Sequence, residues 1–257
     1  MRPIVMMAGA LLLAGSTAHA QSNRVRAQSN PVRAQSDRVR VVVNGSAQVA
    51  PGSFGQRFTL TRNVEAAPVT TDLSLATSGV FEAGARVRVH RRLSLGVLGF
   101  VTPGTASGTL AAKLPHPLYF NQPRDVTGDL SGLTRKERGV HLELAVPLRV
   151  TSRDELTLLG GPSYFDVEQA LITGLTYSDS YPYDTATLDD TTSTVAKKAG
   201  PGFNVGAELT RRVSRSARVA LLGRYSRGTL TLSAAEGNEV ELHAGGIQIG
   251  VGLRFSF

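Results

Sequence analysis

The stretch that decides the fold is Gly246-Ile-Gln-Ile-Gly-Val-Gly-Leu-Arg-Phe-Ser-Phe257. Ile247, Ile249, Val251, Leu253, Phe255 and Phe257 alternate without a break with Gly246, Gln248, Gly250, Gly252, Arg254 and Ser256. Such a period of two is a β-strand with one apolar face and one polar or tiny face. The same rule recurs upstream. Val140, Leu142, Leu144, Val146, Leu148 and Val150 share a face opposite His141, Glu143, Ala145 and Arg149. Ala83, Ala85, Val87 and Val89 oppose Glu82, Arg86, Arg88 and His90, while Phe203, Val205, Ala207 and Leu209 oppose Asn204, Gly206, Glu208 and Thr210.

Extending the pattern predicts eight strands, near 54–62, 79–90, 93–112, 126–149, 155–170, 201–213, 217–232 and 240–257. The connections at 90–92, 151–154 and 214–216 are short. Those near 63–78, 113–125, 171–200 and 233–239 are longer. Short turns on one side and longer loops on the other are the pattern of an up-and-down membrane barrel, with the short turns in the periplasm. An even strand number returns both ends of the barrel to the periplasmic side. The segments 93–112 and 155–170 switch parity partway, which predicts bulges or ends that project beyond the membrane.

Alternation alone does not say which face points inward, and a soluble periplasmic β-protein shares it. The composition of the non-apolar face favours the membrane. It mixes glycine with Arg57, Glu82, Arg86, Arg88, Glu143, Arg149, Glu208, Arg224 and Arg254. In a narrow lumen such charges pair, and glycine leaves room for long arginines. Eight-stranded barrels are nearly filled by side chains, so the expectation is a lumen plugged by ion pairs. The alternative is a narrow, anion-favouring path lined by arginine. With no tryptophan, the interfacial girdle falls to Phe54, Phe58, Tyr225, Phe255 and Phe257.

The head of the chain has a different character. Arg2, the apolar run Ile4 to Gly15 and Ala18-His19-Ala20 have the order of a secretory signal with its cleavage site, so residues 1–20 are expected to be a signal peptide. QSNRVRA, QSNPVRA and QSDRVR then repeat over 21–40, predicting a flexible basic leader over 21–44 and a barrel over 45–257. Half of the formal charge of +8 sits in that repeat, on Arg24, Arg26, Arg33, Arg38 and Arg40 against Asp37. The basic character is therefore a property of the tail, and no nucleic-acid partner is expected. The leader has an alternative role as a basic strip against anionic phospholipid heads. There is no cysteine, which excludes disulfides and a lipidated cysteine.

The ending Gly250-Val-Gly252-Leu-Arg-Phe255-Ser-Phe257 resembles the C-terminal β-signal of outer-membrane proteins, with glycine, an aromatic third from the end and a final phenylalanine. Gly250 departs from it, since a polar residue usually stands first. With the strand pattern, residues 53–257 resemble the small OmpA-like or OmpW-like β-barrel group. The resemblance implies an all-β, eight-stranded antiparallel transmembrane barrel in the outer membrane of a Gram-negative bacterium. It also implies recognition by the barrel-assembly machinery through Gly252, Phe255 and Phe257, and contact with outer-membrane lipids and lipopolysaccharide.

Lipid-modifying enzymes exist on this scaffold, and a deacylase of that kind needs an outward-facing His/Ser pair. His141 is expected to point inward, and His90 lies at a periplasmic turn. His116 lies between two prolines, and His243 has no serine nearby. No hydrolase, metal or phosphate-loop signature appears, so neither catalysis nor a cofactor is expected. The remaining candidates are loop aromatics: Tyr119 and Phe120 within Leu114–Arg124, and Tyr177, Tyr181 and Tyr183 within Thr176–Asp190. They suit recognition of an extracellular ligand. The expected role is structural or surface-interacting, with a narrow passive channel as the alternative.

Overall fold

The computed structural model describes residues 38–49, 52–233 and 239–257. The expected signal peptide and the leader as far as residue 37 lie outside the described residues. Ten antiparallel strands follow in order: β1 (Val39–Val49), β2 (Ser53–Arg62), β3 (Glu65–Leu75), β4 (Ser78–His90), β5 (Leu93–Pro115), β6 (Pro123–Arg149), β7 (Asp154–Asp179), β8 (Ala186–Arg212), β9 (Ala217–Ser233) and β10 (Glu239–Ser256). Eight of them close a ring. β1 pairs with both β4 and β10, and β5 pairs with β6 to complete the circuit.

The eight staves are not quite those expected. The first stave is β1, six residues of which (39–44) fall in the segment expected to be leader. Its Val39, Val41, Val43, Ala47 and Val49 face out, and buried Val42, Asn44 and Gln48 face in. The strand is hidden in the sequence because the repeat Arg-Val-Arg-Val runs into it without a change of composition. Segment 54–62, expected as the first stave, is instead β2, and the expected loop 63–78 is mostly β3. Together they form a hairpin laid on the far half of β5, with Val69 opposite Ala112 and Leu75 opposite Ala106. Phe54 and Phe58 are buried inside and Arg57 is exposed outside. Arg57 is therefore not a lumen charge, and Phe54 and Phe58 do not belong to a girdle. A period of two fixes two faces but not which of them turns inward.

Most of the expected loop 171–200 is also strand. β6 and β8 are each 27 residues long. At about 3.3 Å per residue and a tilt of about 40°, they rise roughly 65–70 Å against an apolar band of about 25 Å. The far half of the barrel therefore stands in the extracellular space. Among the described residues no helix is long and apolar enough to cross a membrane, and the crossing is made by strands.

The two halves have opposite chemistry on one continuous wall. In the near half of β5, Leu95, Val97 and Val101 face out and are half exposed. In the far half, the buried inward residues are Ala106, Leu110, Ala112 and Leu114, with Thr105, Ser107, Thr109 and Lys113 outside. The even-numbered residues face in throughout, so the apparent parity switch in β5 is a change of residue type where the strand leaves the lipid. In β6 the change coincides with a bulge, where Ala106 opposes Leu133 and Gly108 opposes Leu130, with Gly132 at φ 70°. The far half encloses an apolar core of Phe54, Phe58, Leu73, Leu110, Leu114, Val126, Leu171, Ile172, Leu232 and Leu242. There β2 pairs only with β3, and its other edge faces β10 across a cavity of about 330 Å³ lined by Phe54, Leu75, Leu242 and His243.

Candidate functional site

The lumen is filled in layers. Nearest the periplasm, Arg40 meets Glu155 at 3.2 Å. Above them six side chains from five strands form an unbroken alternating series: Glu82, Arg224, Glu143, Arg86, Glu208, Arg254. Arg224 bridges Glu82 and Glu143. Arg86 bridges Glu143 at 2.9 Å and Glu208 at 3.0 Å, and Arg254 holds Glu208 through two donors at 2.9 and 2.5 Å. Asn44 of β1 donates to Glu82 at 2.5 Å. All six are buried, and three cations match three anions. Glycine makes the space: a Cβ on Gly96 would sit 2.8 Å from Arg86 Cγ, and one on Gly252 would sit 2.6 Å from Arg254 Nη1.

Six of the expected lumen charges are thus united in one chain. Arg88 lies at the half-buried periplasmic rim, and the side chain of Arg149 lies outside the described residues. The next layer was not foreseen. His141 Nδ1 lies 2.8 Å from Ser163 Oγ, Asn204 donates to the same oxygen at 2.9 Å, and the imidazole stacks on Phe100 at 4.5 Å. His141 points inward as expected, and it is 0% exposed with Ser163 at 5%, so no substrate carbonyl reaches this His/Ser pair. Above it Arg135 holds Glu137, which accepts from the Gly245 backbone N–H at 3.1 Å. Gln48 and Gln248 join at 2.7 Å. Their only sequence signal is shared parity with the charges below. The apolar core then seals the far end.

The outer face carries the membrane boundary. Phe81, Tyr164, Phe203 and Tyr225 stand outward at one end of the apolar belt, with Phe203 and Tyr225 6.0 Å apart. One turn of the pleat beyond them, Arg138 pairs with Asp166 at 2.8 Å and Lys197 with Glu168 at 2.8 Å. The Lys197 hydrogen bond holds the half-buried Glu168 carboxyl below the usual carboxylate range. Ile247, Ile249, Val251, Leu253, Phe255 and Phe257 all face out. Exposed apolar residues ringing a closed barrel around a buried ionic lumen belong in lipid. The chain is an outer-membrane β-barrel.

Solved structures share its form. It is similar to Neisserial surface protein A at 11% identity and TM-score 0.46, covering 86% of this chain and 98% of that one. It is similar to the outer membrane protein OprG from Pseudomonas aeruginosa at 10% identity and TM-score 0.49, covering 86% and 96%. It is likewise similar to Ail, the attachment invasion locus protein of Yersinia pestis, at 11% identity and TM-score 0.33, covering 85% and 99%. No family model and no curated protein matches. These likenesses are of barrel form, and the membrane assignment rests on the chain's own belt.

At the extracellular end three tips meet. Arg124, 5% exposed, donates to Asp179 at 2.7 Å, to the Tyr183 carbonyl at 3.0 Å and to the Pro115 carbonyl at 3.2 Å, and it lies over the Tyr177 ring. His116 lies 3.7 Å from Asp184 and 4.9 Å from the Tyr119 ring. The β5–β6 tip (116–122) is thus fastened to the β7–β8 tip (180–185), and the Asn121 N–H donates to Glu65 of the β2–β3 hairpin at 2.9 Å. The expected loop aromatics are brought together and divided. Tyr177 packs on the core and Tyr183 is half buried. Tyr119, Phe120 and Tyr181 are exposed, with Leu118 and Val64.

Asn63 and Val64 occupy the hairpin turn at φ 47° and 67°, the pattern of a type I′ turn, where the second position ordinarily takes glycine. A β-branched residue there costs on the order of 1–3 kcal/mol, yet Val64 is 91% exposed and gains no packing. Arg124→Ala is expected to release the two fastened tips by removing charge-assisted bonds, at a local cost of about 2–3 kcal/mol. Amide hydrogen exchange over 177–187 reads this as lost protection while the barrel stays heat-modifiable. Unchanged exchange would show that Arg124 does not hold the tips.

Proposed function

We propose that this barrel is a closed, non-catalytic surface-recognition protein whose joined extracellular tips bind a partner. One observation carries the reading: three separate connections are fastened together so that Val64, Leu118, Tyr119, Phe120 and Tyr181 are held out in water. Apolar and aromatic side chains on a rigid platform are the anchors of recognition surfaces, and the strain kept at Val64 agrees with a role outside folding. On the tips and the strand ends next to them, the solvent-accessible carboxylates Glu65, Asp125, Asp184, Asp189 and Asp190 outnumber Arg62 and Lys113, and Lys113 is paired with Asp125 at 3.2 Å. This balance favours partners with a cationic rim. The alternative passive channel is opposed by the filled lumen, in which the ionic series and the apolar core stand in the path.

Detergent-folded barrel, tethered by its periplasmic end, is probed with a panel of cationic and anionic proteins. Binding is expected to favour the cationic set and to weaken at least tenfold, about 1.4 kcal/mol, in a Phe120→Ser/Tyr181→Ser double variant. Equal binding by the double variant would sink the assignment. In planar bilayers the protein is expected to give no conductance steps. Resolved single-channel steps would restore the channel.

A further inference from the structure

The periplasmic mouth of the lumen carries a second polar construction, remote from the extracellular tips. A cavity of about 20 Å³ opens there, lined by Arg38, Arg40, Arg86, Arg88, Glu155 and Thr157 among others. Arg86 is already matched by Glu143 and Glu208, so the excess at this mouth is that of three guanidiniums, Arg38, Arg40 and Arg88, against Glu155, which Arg40 engages at 3.2 Å. Arg86 is 3% exposed. Its Nε and Nη1 are taken by Glu143 and Glu208, but its Nη2 is buried without a hydrogen-bond partner. Thr157, also 3% exposed, has a buried Oγ1 with none.

A buried charged donor left without an acceptor is costly, and two such polar groups beside one small space mark a seat for a shared acceptor. The volume admits one oxygen-sized atom. A water molecule would satisfy the donors but not the excess of positive charge, whereas an anionic oxygen does both. We propose that this mouth binds a phosphate-class oxyanion. One oxygen sits in the cavity against Arg86 Nη2 and the Thr157 hydroxyl, and the rest of the group is held in the open vestibule by Arg38, Arg40 and Arg88. The periplasmic turns at 91–92 and 150–153 are short, so the mouth lies close to phospholipid heads as well as to free periplasmic anions, and both sources supply this chemistry.

The test uses inorganic phosphate as probe, with protein folded in dodecyl maltoside, a detergent free of phosphate. Phosphorus NMR and calorimetry at ionic strength matched with chloride are expected to show saturable phosphate binding. Arg88→Gln and Thr157→Val are each expected to weaken it at least tenfold while keeping the heat-modifiable gel shift. Arg88 is half exposed at the rim, so its variant keeps the fold and isolates the binding effect. Nanodiscs separate the sources. If added phosphate binds in galactolipid discs but is blocked in phosphatidylglycerol discs, a lipid head is the natural occupant. If it binds equally in both, the occupant is a free phosphate group. Absence of saturable binding in maltoside, or wild-type affinity in both variants, overturns the proposal.

Discussion

Glu208→Ala is expected to destabilise the folded barrel by about 3–5 kcal/mol, the cost of leaving buried charges without their partner. Glu208 is fully buried and is the carboxylate through which Arg86 and Arg254 are joined. Arg86 retains Glu143, but Arg254 loses the only carboxylate it pairs with among the described residues. Denaturant titration in lipid vesicles, with folded fraction read by gel mobility, gives the number. A Glu208→Met/Arg254→Met double variant is expected to lose less than the single one, because it removes the orphaned charge together with its partner. A single variant with the wild-type midpoint would show that the ionic series contributes nothing to holding the staves together.

The second large effect separates the two halves of the wall. Val97→Arg places a charge on the lipid side of β5, where Val97 is 55% exposed, and is expected to cost about 2–4 kcal/mol. Thr109→Arg places the same charge on the same outward face of the same strand, twelve residues further along, and is expected to change stability by less than about 0.5 kcal/mol. Sequence parity treats the two positions alike. Only their height relative to the membrane distinguishes them. Equal costs at both positions would mean that the far half of the barrel is also in lipid.

The barrel's regular parts were legible in the chain because each lies within one strand's own alternation. The run Ile247 to Phe257, the short turns at 90–92 and 214–216, and the placing of Glu82, Glu143, Glu208, Arg224 and Arg254 on the non-apolar face follow from the alternation and its breaks, and the mix of charge with glycine on that face pointed it inward. His141 shares that face with Glu143. What lay beyond the sequence depends on distance along the chain. Arg86 and Glu208 are 122 residues apart, and His141 and Ser163 sit on neighbouring strands, so the register between strands decides whether they meet. β1 was invisible because its valines continue the leader's Arg-Val repeat, and its role appears only when it closes the ring between β4 and β10. Arg57, Phe54 and Phe58 were placed on the wrong faces because β2 lies above the membrane, where water outside and an apolar core inside reverse the preference of each face. The sequence by itself determined that the strands have two unlike faces. The tertiary structure decided which solvent each face meets, because height in the membrane is a property of the assembled wall and of no single strand.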